Sequence, residues 1–339
     1  MIYYAFTLKF LTPVHFGDTA SGGNLDKIAI SCSADTLFAA LCNEAAALDS
    51  TILEKLIAGV REQKIVFSSL FPCYRTENED LYLYLPKPLL QMYAKKQNSK
   101  SFAEMKQLAT KLKKQKKTSY IRASELKAWL KNCQAGQLAD YEVPEFAVPF
   151  VSCKVNLREN TPLPYFVGSY IFVDNAGLYF ICGVEDDNEE DIVWINKLVK
   201  QLGMTGIGGK RSSGYGKFEI ASDYRNISSD SGMYDDDIAI GEMLFDKDSS
   251  IQMCLAPVCP LAEEIAAVKQ GAYKLVKRGG FISSPMTGEN MKRDSVYMLA
   301  EGSCFAKRLQ GSMLRQEIDG IEHPVYRDGV GMFVGLQDE

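Results

Sequence analysis

The chain has 339 residues, 46% of them hydrophobic, which is the composition of an ordinary globular protein and a length that favours two domains. A net charge of −5 argues against nucleic-acid binding over the whole surface. Nine cysteines without a C-x-x-C pair and only two histidines argue against a disulfide framework and a zinc site. Since no apolar run reaches the roughly 18 residues of a membrane span, we expect a cytoplasmic protein with reduced thiols and without metal or cofactor.

The first fifty residues predict a strand, a loop and a helix. YYAFTLKFL (3–11) alternates and is rich in aromatic residues, as is typical of a strand. The loop that follows contains HFG at 15–17. The stretch 33–48 predicts a helix with leucines along one face. Either Ser33 or Asp35 is placed to cap its N-terminus.

Residues from about 75 to 150 differ in composition from the rest of the chain. From Lys95 to Lys131, twelve Lys or Arg residues stand against two acidic residues, and strand signals are few. We predict an inserted, mobile basic lobe here, although a solvated helix or a disordered loop also explains the KKQKKT run. Acidic runs lie elsewhere, at 185–191 and 234–242, so an acidic protein can still present a basic, RNA-facing side.

The segment up to residue 225 completes a recognisable order of elements. YFVGSYIFVDNAGLYFICGV (165–184) predicts two strands around an Asp-Asn-Ala-Gly turn. EEDIVWINKLVKQLG predicts an amphipathic helix ending at Gly203, and KFEI (217–220) predicts a further strand. The order β-α-β-β-α-β over residues 1–225 indicates an α+β, ferredoxin-like domain.

A second, weaker copy of this pattern follows a polar segment. Residues 226–248 have few apolar anchors and include the run DDD at 235–237, so we predict a domain linker with solvated aspartates. Strands and one helix in 249–339 predict a second sheet and a second ferredoxin-like domain.

A glycine-rich loop, GIGGKRSSGYGKF (206–218), carries the main functional hypothesis. Its spacing fits neither a P-loop nor a dinucleotide fingerprint, because Met204 and Arg211 stand where glycine or Ser/Thr is needed. Glycines let a backbone approach phosphates closely, cations add charge, hydroxyls donate, and a tyrosine can stack on a base. The RNA-binding residues expected here are Gly208, Gly209, Lys210, Arg211, Ser212, Ser213, Gly214 and Tyr215.

Several motifs together resemble the RAMP family of CRISPR proteins. They are the glycine loop, HFG at 15–17, SADTLFAALCNEA at 33–45, LPKP at 85–88, LAEEIAAVKQGAYKLVKRGGF and RDSVYMLAEGSCF. The resemblance covers nearly the whole chain except the Lys-rich stretch. It implies two RRM-like, ferredoxin-type domains in a non-catalytic subunit of a type III-A Csm effector complex. Such a subunit binds the 5′ handle of the CRISPR RNA (crRNA) and joins the large polymerase-like subunit to the backbone-forming RAMP subunit.

Further candidate RNA contacts lie outside the glycine loop. His15 could stack on or hydrogen-bond to a handle nucleotide, and the start of the helix at 33–48 could receive a phosphate. Basic residues beside two glycines in the second domain could form another phosphate surface or contact the large subunit. These additional candidates are His15, Phe16, Gly17, Ser33, Asp35, Thr36, Lys277, Arg278 and Arg293.

Two other functions remain open from the sequence. The first is a metal-independent endoribonuclease in which His15 is the general base and Lys210 or Arg211 is the cation for the phosphate. No acid partner for His15 is evident in the sequence, and His323, before a proline, is as readily structural. The second is a protein-only scaffold in which the glycine loop is merely a turn.

Overall fold

The structure is a computed structural model of the chain. It describes residues 1–18, 24–90, 106, 110, 113, 117–135, 141–156, 162–185, 189–221, 223–230, 232–282 and 291–336. Most of the Lys-rich stretch lies outside these residues, so the prediction of a mobile basic segment there is not addressed by the structure.

The described residues form short and long strands with helices between them. The strands are β1 (Ile2–Phe10), β2 (Phe16–Gly17), β3 (Ile28–Ala29), β4 (Ile65–Phe67), β5 (Phe71–Arg75), β6 (Leu81–Pro86), β7 (Tyr120–Arg122), β8 (Ala147–Asn156), β9 (Leu163–Phe172), β10 (Ala176–Val184), β11 (Phe218–Ile220), β12 (Arg225–Ile227), β13 (Gln252–Cys254), β14 (Leu275–Arg278), β15 (Val296–Leu299), β16 (Cys304–Phe305), β17 (Leu314–Gln316), β18 (Val325–Arg327) and β19 (Phe333–Gly335). The α-helices are α1 (Ala34–Leu48), α2 (Ser50–Arg61), α3 (Leu126–Gln134), α4 (Glu189–Thr205), α5 (Asp235–Phe245) and α6 (Ile265–Gln270). Short 3-10 helices lie at 123–125, 211–213 and 262–264.

A mixed α/β region with an antiparallel sheet forms the N-terminal part. Its strand order is β11-β1-β10-β5-β6-β7, while β12 also pairs with β1 and β4 with β10. Strand β1 runs antiparallel to β10 with Phe6 opposite Phe180, whose rings stack at 4.8 Å. Side chains alternate between the two faces of a strand, yet Ala5 and Phe6 are both fully buried. The centre of this sheet is therefore covered on both faces.

Helices cover the sheet and set the position of the glycine loop. Helix α1 packs against α2 and α4, and α4 packs against β10 and β11. Gly203 does not end α4 as predicted, because the helix continues to Thr205 and the chain turns at Gly206, which has a φ of +88°. The glycine loop thus leaves a buried helix and leads directly into edge strand β11.

The strands predicted over 165–184 both exist, but they belong to different sheets. Strand β10 lies in the main sheet, whereas β9 pairs along its whole length with β8 as a separate two-stranded hairpin. An isolated bridge between Val14 and Tyr170 joins this hairpin to the loop after β1. The turn at 173–175 therefore moves the chain from one sheet to another.

The C-terminal part is built from shorter elements. A three-stranded sheet has the order β16-β13-β19, and β14-β15 and β17-β18 form two separate hairpins. A small cluster with Phe305 and Phe333 fills its interior. Other residues of this part, among them Met253, Leu255 and Val334, belong to the core cluster of the N-terminal sheet. The two parts of the chain therefore share one hydrophobic core.

Two strands within the predicted inserted lobe belong to the main sheet. Strand β6 pairs with β5, and β7 pairs with β6. Leu83, Leu85 and Ile121 on these strands are fully buried. The expectation of a lobe set apart over 75–150 is therefore wrong for these two strands. Short strands such as β7, with three residues, give too little periodicity to be recognised in sequence.

The prediction of solvated aspartates in a linker is also wrong. Residues 235–245 form helix α5, and the side chains of Asp236 and Asp237 are completely buried. Asp236 accepts hydrogen bonds from the backbone N–H of Leu83 and from Arg122 Nε, at 2.9 and 3.0 Å. Asp237 accepts two from Arg225. These pairings fix the segment between the two parts of the chain against the main sheet.

Candidate nucleic-acid interface

The glycine loop between α4 and β11 adopts a conformation that requires several glycines. Gly206, Gly208, Gly214 and Gly216 have φ values between +77° and +92°, where residues with a Cβ atom are strained. The N–H of Ile207 donates to the carbonyl of Gly216, at 3.0 Å, which closes the loop on itself. The glycines therefore build a tight double turn.

The closed loop is seated on the HFG segment. The N–H of Gly209 donates to the carbonyl oxygen of His15, at 2.9 Å. A Cβ atom at Gly208 would lie 2.8 Å from that oxygen and 2.9 Å from the Phe16 ring, and one at Gly209 would lie 2.6 Å from His15 Cδ2. The structure thus brings together two motifs almost 200 positions apart in the sequence, and the glycines permit their close contact.

His15 supports this contact from a buried position. Its side chain is 6% exposed, and its Nδ1 lies 2.7 Å from the carbonyl oxygen of Gly168 in β9. A carbonyl can only accept, so Nδ1 carries the hydrogen and Nε2 is left on the side of the glycine loop. The ring therefore connects the hairpin β8-β9 to the loop.

The cations and aromatic rings of the loop and hairpin pair across their junction. Lys210 Nζ lies 5.0 Å from the ring centre of Tyr165 in β9, and Lys154 Nζ from β8 lies 4.6 Å from that of Tyr215. Each pair has one member in the loop and one in the hairpin. Together the four side chains form a surface of two amines and two rings, which we call the Lys–Tyr surface.

Neighbouring side chains of the hairpin change the pKa of Tyr215, the tyrosine of the loop. A hydrogen bond with the Ser152 hydroxyl, assisted by the positive charge of Lys154, lowers the pKa of Tyr215 below its usual value. Ser152 and Lys154 both lie in β8. The phenol oxygen is therefore oriented by the hairpin, while the half-buried ring remains part of the Lys–Tyr surface.

The outer side of the loop offers hydrogen-bond donors to solvent. Ser212 and Ser213 are exposed, and Lys210 and Arg211 are half-buried. Within the part of the chain that the structure describes, the N–H groups of Gly208 and Lys210 make no backbone hydrogen bond. Backbone and hydroxyl donors beside two cations can donate hydrogen bonds to the oxygens of a phosphate. This side of the molecule therefore has the chemistry of a single-stranded RNA contact.

The predicted contacts near the start of α1 lie in a different, buried setting. Asp35 is fully buried, and its carboxylate accepts from Nε and Nη2 of Arg278, at 3.1 and 2.6 Å. It is therefore an ion-pair partner, and not the helix cap that the sequence suggested. Ser33 occupies the cap position of α1 without a side-chain cap hydrogen bond. Burial, and not sequence position, sets the role of this carboxylate.

The remaining candidates from the sequence divide between this cluster and the surface. Thr36 accepts a hydrogen bond from Arg278, and Arg293 lies 3.7 Å from Asp35. Because Arg278 and Arg293 are largely buried, they do not form the open basic surface expected of them. Lys277, by contrast, is exposed, and Gly17 is exposed beside the glycine loop's partner Phe16.

Sequence reasoning missed three members of these two sites. Tyr165 and Lys154 come from the hairpin. A strand was predicted at Tyr165 but none at Lys154, and the pairing of either residue with the loop was not predicted. Arg327 joins the buried cluster, with Nη1 3.5 Å from Asp35. No local signal distinguishes that arginine from any other in a strand.

Two further features of the described residues bear on other classes of function. None of their His, Cys, Asp and Glu side chains group in threes or more as a metal site would require. No helix among them combines the length and the apolar character needed to cross a bilayer.

Comparisons with known proteins agree with one another. Residues 247–336 match the family described as the CRISPR Csm4 C-terminal domain. The chain is 28% identical over 338 residues to a Csm4 protein of Streptococcus thermophilus, covering 99% of this chain and 100% of that one. It is also 28% identical over 329 residues to Csm4 of Mycobacterium tuberculosis, covering 96% and 95% of the two chains.

Solved structures share the fold over the whole chain. A crystal structure of a Csm3-Csm4 subcomplex of the type III-A interference complex superposes with a TM-score of 0.62, at 16% identity and full coverage of both chains. A crystal structure of a Csm1-Csm4 cassette in complex with cA4 superposes with a TM-score of 0.59 at 20% identity. The match covers 99% of this chain and 98% of that one. These matches confirm the resemblance drawn from the motifs: the chain is similar over nearly its whole length to Csm4 proteins of CRISPR systems, and it shares their fold.

Proposed function

We propose that the protein is a crRNA-binding and bridging subunit of a type III-A Csm complex, acting in antiviral defence. It anchors the 5′ handle of the crRNA and joins the large polymerase-like subunit, Csm1, to the backbone-forming subunit, Csm3. Support for the bridging role comes from relatives of the same fold, one solved as a Csm3-Csm4 subcomplex and another as a Csm1-Csm4 cassette. Full-length similarity to Csm4 proteins supports carrying that role to this chain.

The observation that carries the RNA-binding proposal is the joining of the glycine loop to the hairpin β8-β9. Lys210 and Arg211 stand beside backbone and hydroxyl donors, and the Lys–Tyr surface places two rings and two amines next to them. Phosphates take the cations and N–H groups, and bases stack on tyrosine rings. Single-stranded RNA is the ligand that uses both kinds of group at once.

We further propose that the N-terminal part is a ferredoxin-like RAMP domain. In chain order it contributes β1, α1, β5, β10, α4 and β11, which is the β-α-β-β-α-β order, and all four strands lie side by side in one antiparallel sheet. The strands β6 and β7 extend that sheet at one edge. For the C-terminal part, the second ferredoxin-like domain remains a proposal supported by its three-stranded sheet alone.

A role without catalysis is proposed because His15 is held in a structural position. Its Nδ1 is engaged by Gly168, its side chain is buried, and no carboxylate partner is found for it among the described residues. Labelled CRISPR repeat RNA incubated with the purified chain in EDTA should remain intact. Specific cleavage that is lost in His15→Ala would instead establish the endoribonuclease alternative.

Co-purification tests the bridging and RNA-binding roles together. The tagged chain is expressed with its Csm1 and Csm3 counterparts and a CRISPR array, and proteins and RNA are recovered at moderate salt. Both subunits and short RNAs with a common 5′ end should be retained. Retention of neither subunit, or of RNA with random 5′ ends, would contradict the proposal.

A further inference from the structure

The buried group around Asp35 contains more positive charge than its carboxylate can satisfy. Three guanidinium groups converge on Asp35, from Arg278 at the end of β14, Arg293 before β15 and Arg327 at the end of β18. Their side chains are 10%, 11% and 1% exposed. We call this group the Arg cluster. It joins helix α1 of the N-terminal part to three segments of the C-terminal part.

The three arginines share the carboxylate unequally. Arg278 takes both oxygens in the two-pronged geometry that suits a guanidinium, with contacts of 2.6 and 3.1 Å. Arg293 and Arg327 approach Oδ2 only to 3.7 and 3.5 Å, which is ion-pair distance and too long for a hydrogen bond. The carboxylate of Asp35 is therefore fully used by Arg278. Arg293 also donates its Nε to the carbonyl oxygen of Gly279, at 3.1 Å, so the shortage of acceptors falls mainly on Arg327.

Arg327 shows this shortage most clearly. Its Nη2 donates to the carbonyl oxygen of Asp294, at 3.1 Å, but its buried Nε and Nη1 have no hydrogen-bond partner among the described residues. Burial, aided by the charges of Arg293 and Arg278, lowers the pKa of Arg327 to about 10. The group still carries its charge at neutral pH. Buried charged donors without acceptors are strongly destabilising, so these two N–H groups are suited to an anionic acceptor.

The neighbouring acids do not fill the gap. Asp328 is buried beside the cluster, and its Oδ1 accepts from the N–H of Val330. Burial raises the pKa of Asp328 to about 7, so its full negative charge is not available at neutral pH. Glu301 acts on Arg278 electrostatically, but its Oε1 accepts the hydroxyl of Ser69. The cluster therefore retains an excess of cationic donors.

We propose that the Arg cluster is a binding site for one phosphate group. A phosphate offers oxygen acceptors in the planar fork geometry of guanidinium, and its charge balances the two arginines that Asp35 leaves unsatisfied. The side chains of Arg278 and Arg293 are only 10% and 11% exposed, and these exposed fractions are where the cluster meets solvent. The Thr36 hydroxyl, which accepts from Arg278, lies in the first turn of α1 beside it. This inference stands apart from the proposed RNA contact of the glycine loop.

The first test measures binding of inorganic phosphate to the full chain. Thermal melts are recorded against phosphate concentration, with chloride holding the ionic strength constant. A ligand that binds only the folded state raises the melting temperature with its concentration. Arg293→Gln should weaken phosphate binding at least tenfold, whereas Lys277→Gln, an exposed cation on β14, should leave it unchanged. A melting temperature that follows ionic strength alone, or equal binding in Arg293→Gln, would overturn the site.

A second measurement keeps the test decisive if Arg293→Gln fails to fold. In phosphorus NMR, the phosphate resonance should broaden when the unmodified chain is added in less than stoichiometric amount. Excess sulfate should compete for the site and reverse the broadening. Absence of broadening would overturn the proposal. Adding single-stranded RNA then identifies the source: displaced phosphate means that the site takes a backbone phosphate, and retained phosphate means that it takes a free one. Lys210→Ala/Arg211→Ala should not change the phosphate affinity, which separates this site from the loop.

Discussion

The glycine loop and the Arg cluster use the same kinds of residue in opposite settings. In the loop, Lys210 and Arg211 stand at the surface beside exposed serines, and their charges are screened by water. In the cluster, three arginines are almost completely buried around one carboxylate. A cation at the surface is available for an incoming ligand and contributes little to stability, whereas a buried one is bound to its partner. The loop cations are therefore open to a ligand from solvent, whereas the buried arginines also join the two parts of the chain.

The largest expected effect is loss of the carboxylate in the Arg cluster. Asp35→Asn leaves three buried guanidiniums without a negative partner, so the free energy of unfolding should fall by roughly 3–5 kcal/mol. Urea denaturation followed by circular dichroism measures it. Glu219→Gln removes a carboxylate from a surface pair with Lys9, half-exposed on both sides, and should cost less than about 1 kcal/mol. Equal effects of the two substitutions would remove the contrast between buried and exposed charge.

Asp328 should give the cluster a measurable pH dependence. Its pKa is raised from 3.8 to about 7 by burial, with a contribution from Asp35. Between these values the folded state binds more protons than the unfolded state, so stability from this group is highest below about pH 4 and falls as pH rises to about 7. Asp328→Asn should abolish that part of the decline, worth roughly 2–4 kcal/mol. Denaturation curves at pH 4.5 to 7.5 test it, and identical pH profiles for parent and variant would count against a raised pKa.

Within the glycine loop, two glycines that both have a positive φ angle should respond differently to substitution by alanine. Gly216 has a φ of +77° and would place a Cβ atom 2.0 Å from the carbonyl oxygen of Ile207, while Gly214 has a φ of +83° and open space around it. Gly214→Ala should cost about 1 kcal/mol for the backbone alone, and Gly216→Ala roughly 2 kcal/mol or more because the loop must also open. Melting curves of both variants measure the two losses of stability. A smaller effect at Gly216 would mean that the loop is not closed on Ile207.

Sequence patterns predicted the parts of this fold that are local. Strand β1, helix α1, most of α4 and the glycine loop each carry their own periodicity or turn residues within a short window. The Arg cluster could not be found in that way, because Asp35 and Arg278 are 243 positions apart. The same holds for Asp236, whose partners Leu83 and Arg122 precede it by more than a hundred residues. From sequence alone, charged residues in a polar run are predicted to be solvated, because their partners are distant in the chain and are brought near them only by folding.

In the candidate site, too, the local features could be predicted from the sequence and the distant contacts could not. Glycines, cations and a tyrosine in one loop pointed to RNA from their residue types alone. The partners that orient them, Tyr165 and Lys154, lie in a hairpin whose position depends on tertiary contacts. The HFG motif, noted separately, turned out to be the support on which the loop rests. Residue types were thus visible in advance, and their mutual geometry was not.

The smallest expected effect on stability accompanies the most informative change in binding. Lys210→Ala/Arg211→Ala removes two surface cations while retaining the backbone path, so the free energy of unfolding should change by less than about 1 kcal/mol. Lys9→Ala/Lys200→Ala removes the same charge from two surface ion pairs outside the loop and serves as the matched control. Any general electrostatic effect of net charge appears in both variants.

Filter binding of guide RNA across a salt series, with these two variants and the parent, tests the central claim most directly. Single-stranded binding has a log–log salt slope of about 0.7 per neutralised phosphate, so the loop variant should lose roughly 1.4 from the slope. That difference corresponds to about a sevenfold change in relative affinity between 50 and 200 mM salt. The control variant should keep the parent slope. If the loop variant also keeps the parent's slope and affinity, the glycine loop is only a turn and the RNA is bound elsewhere.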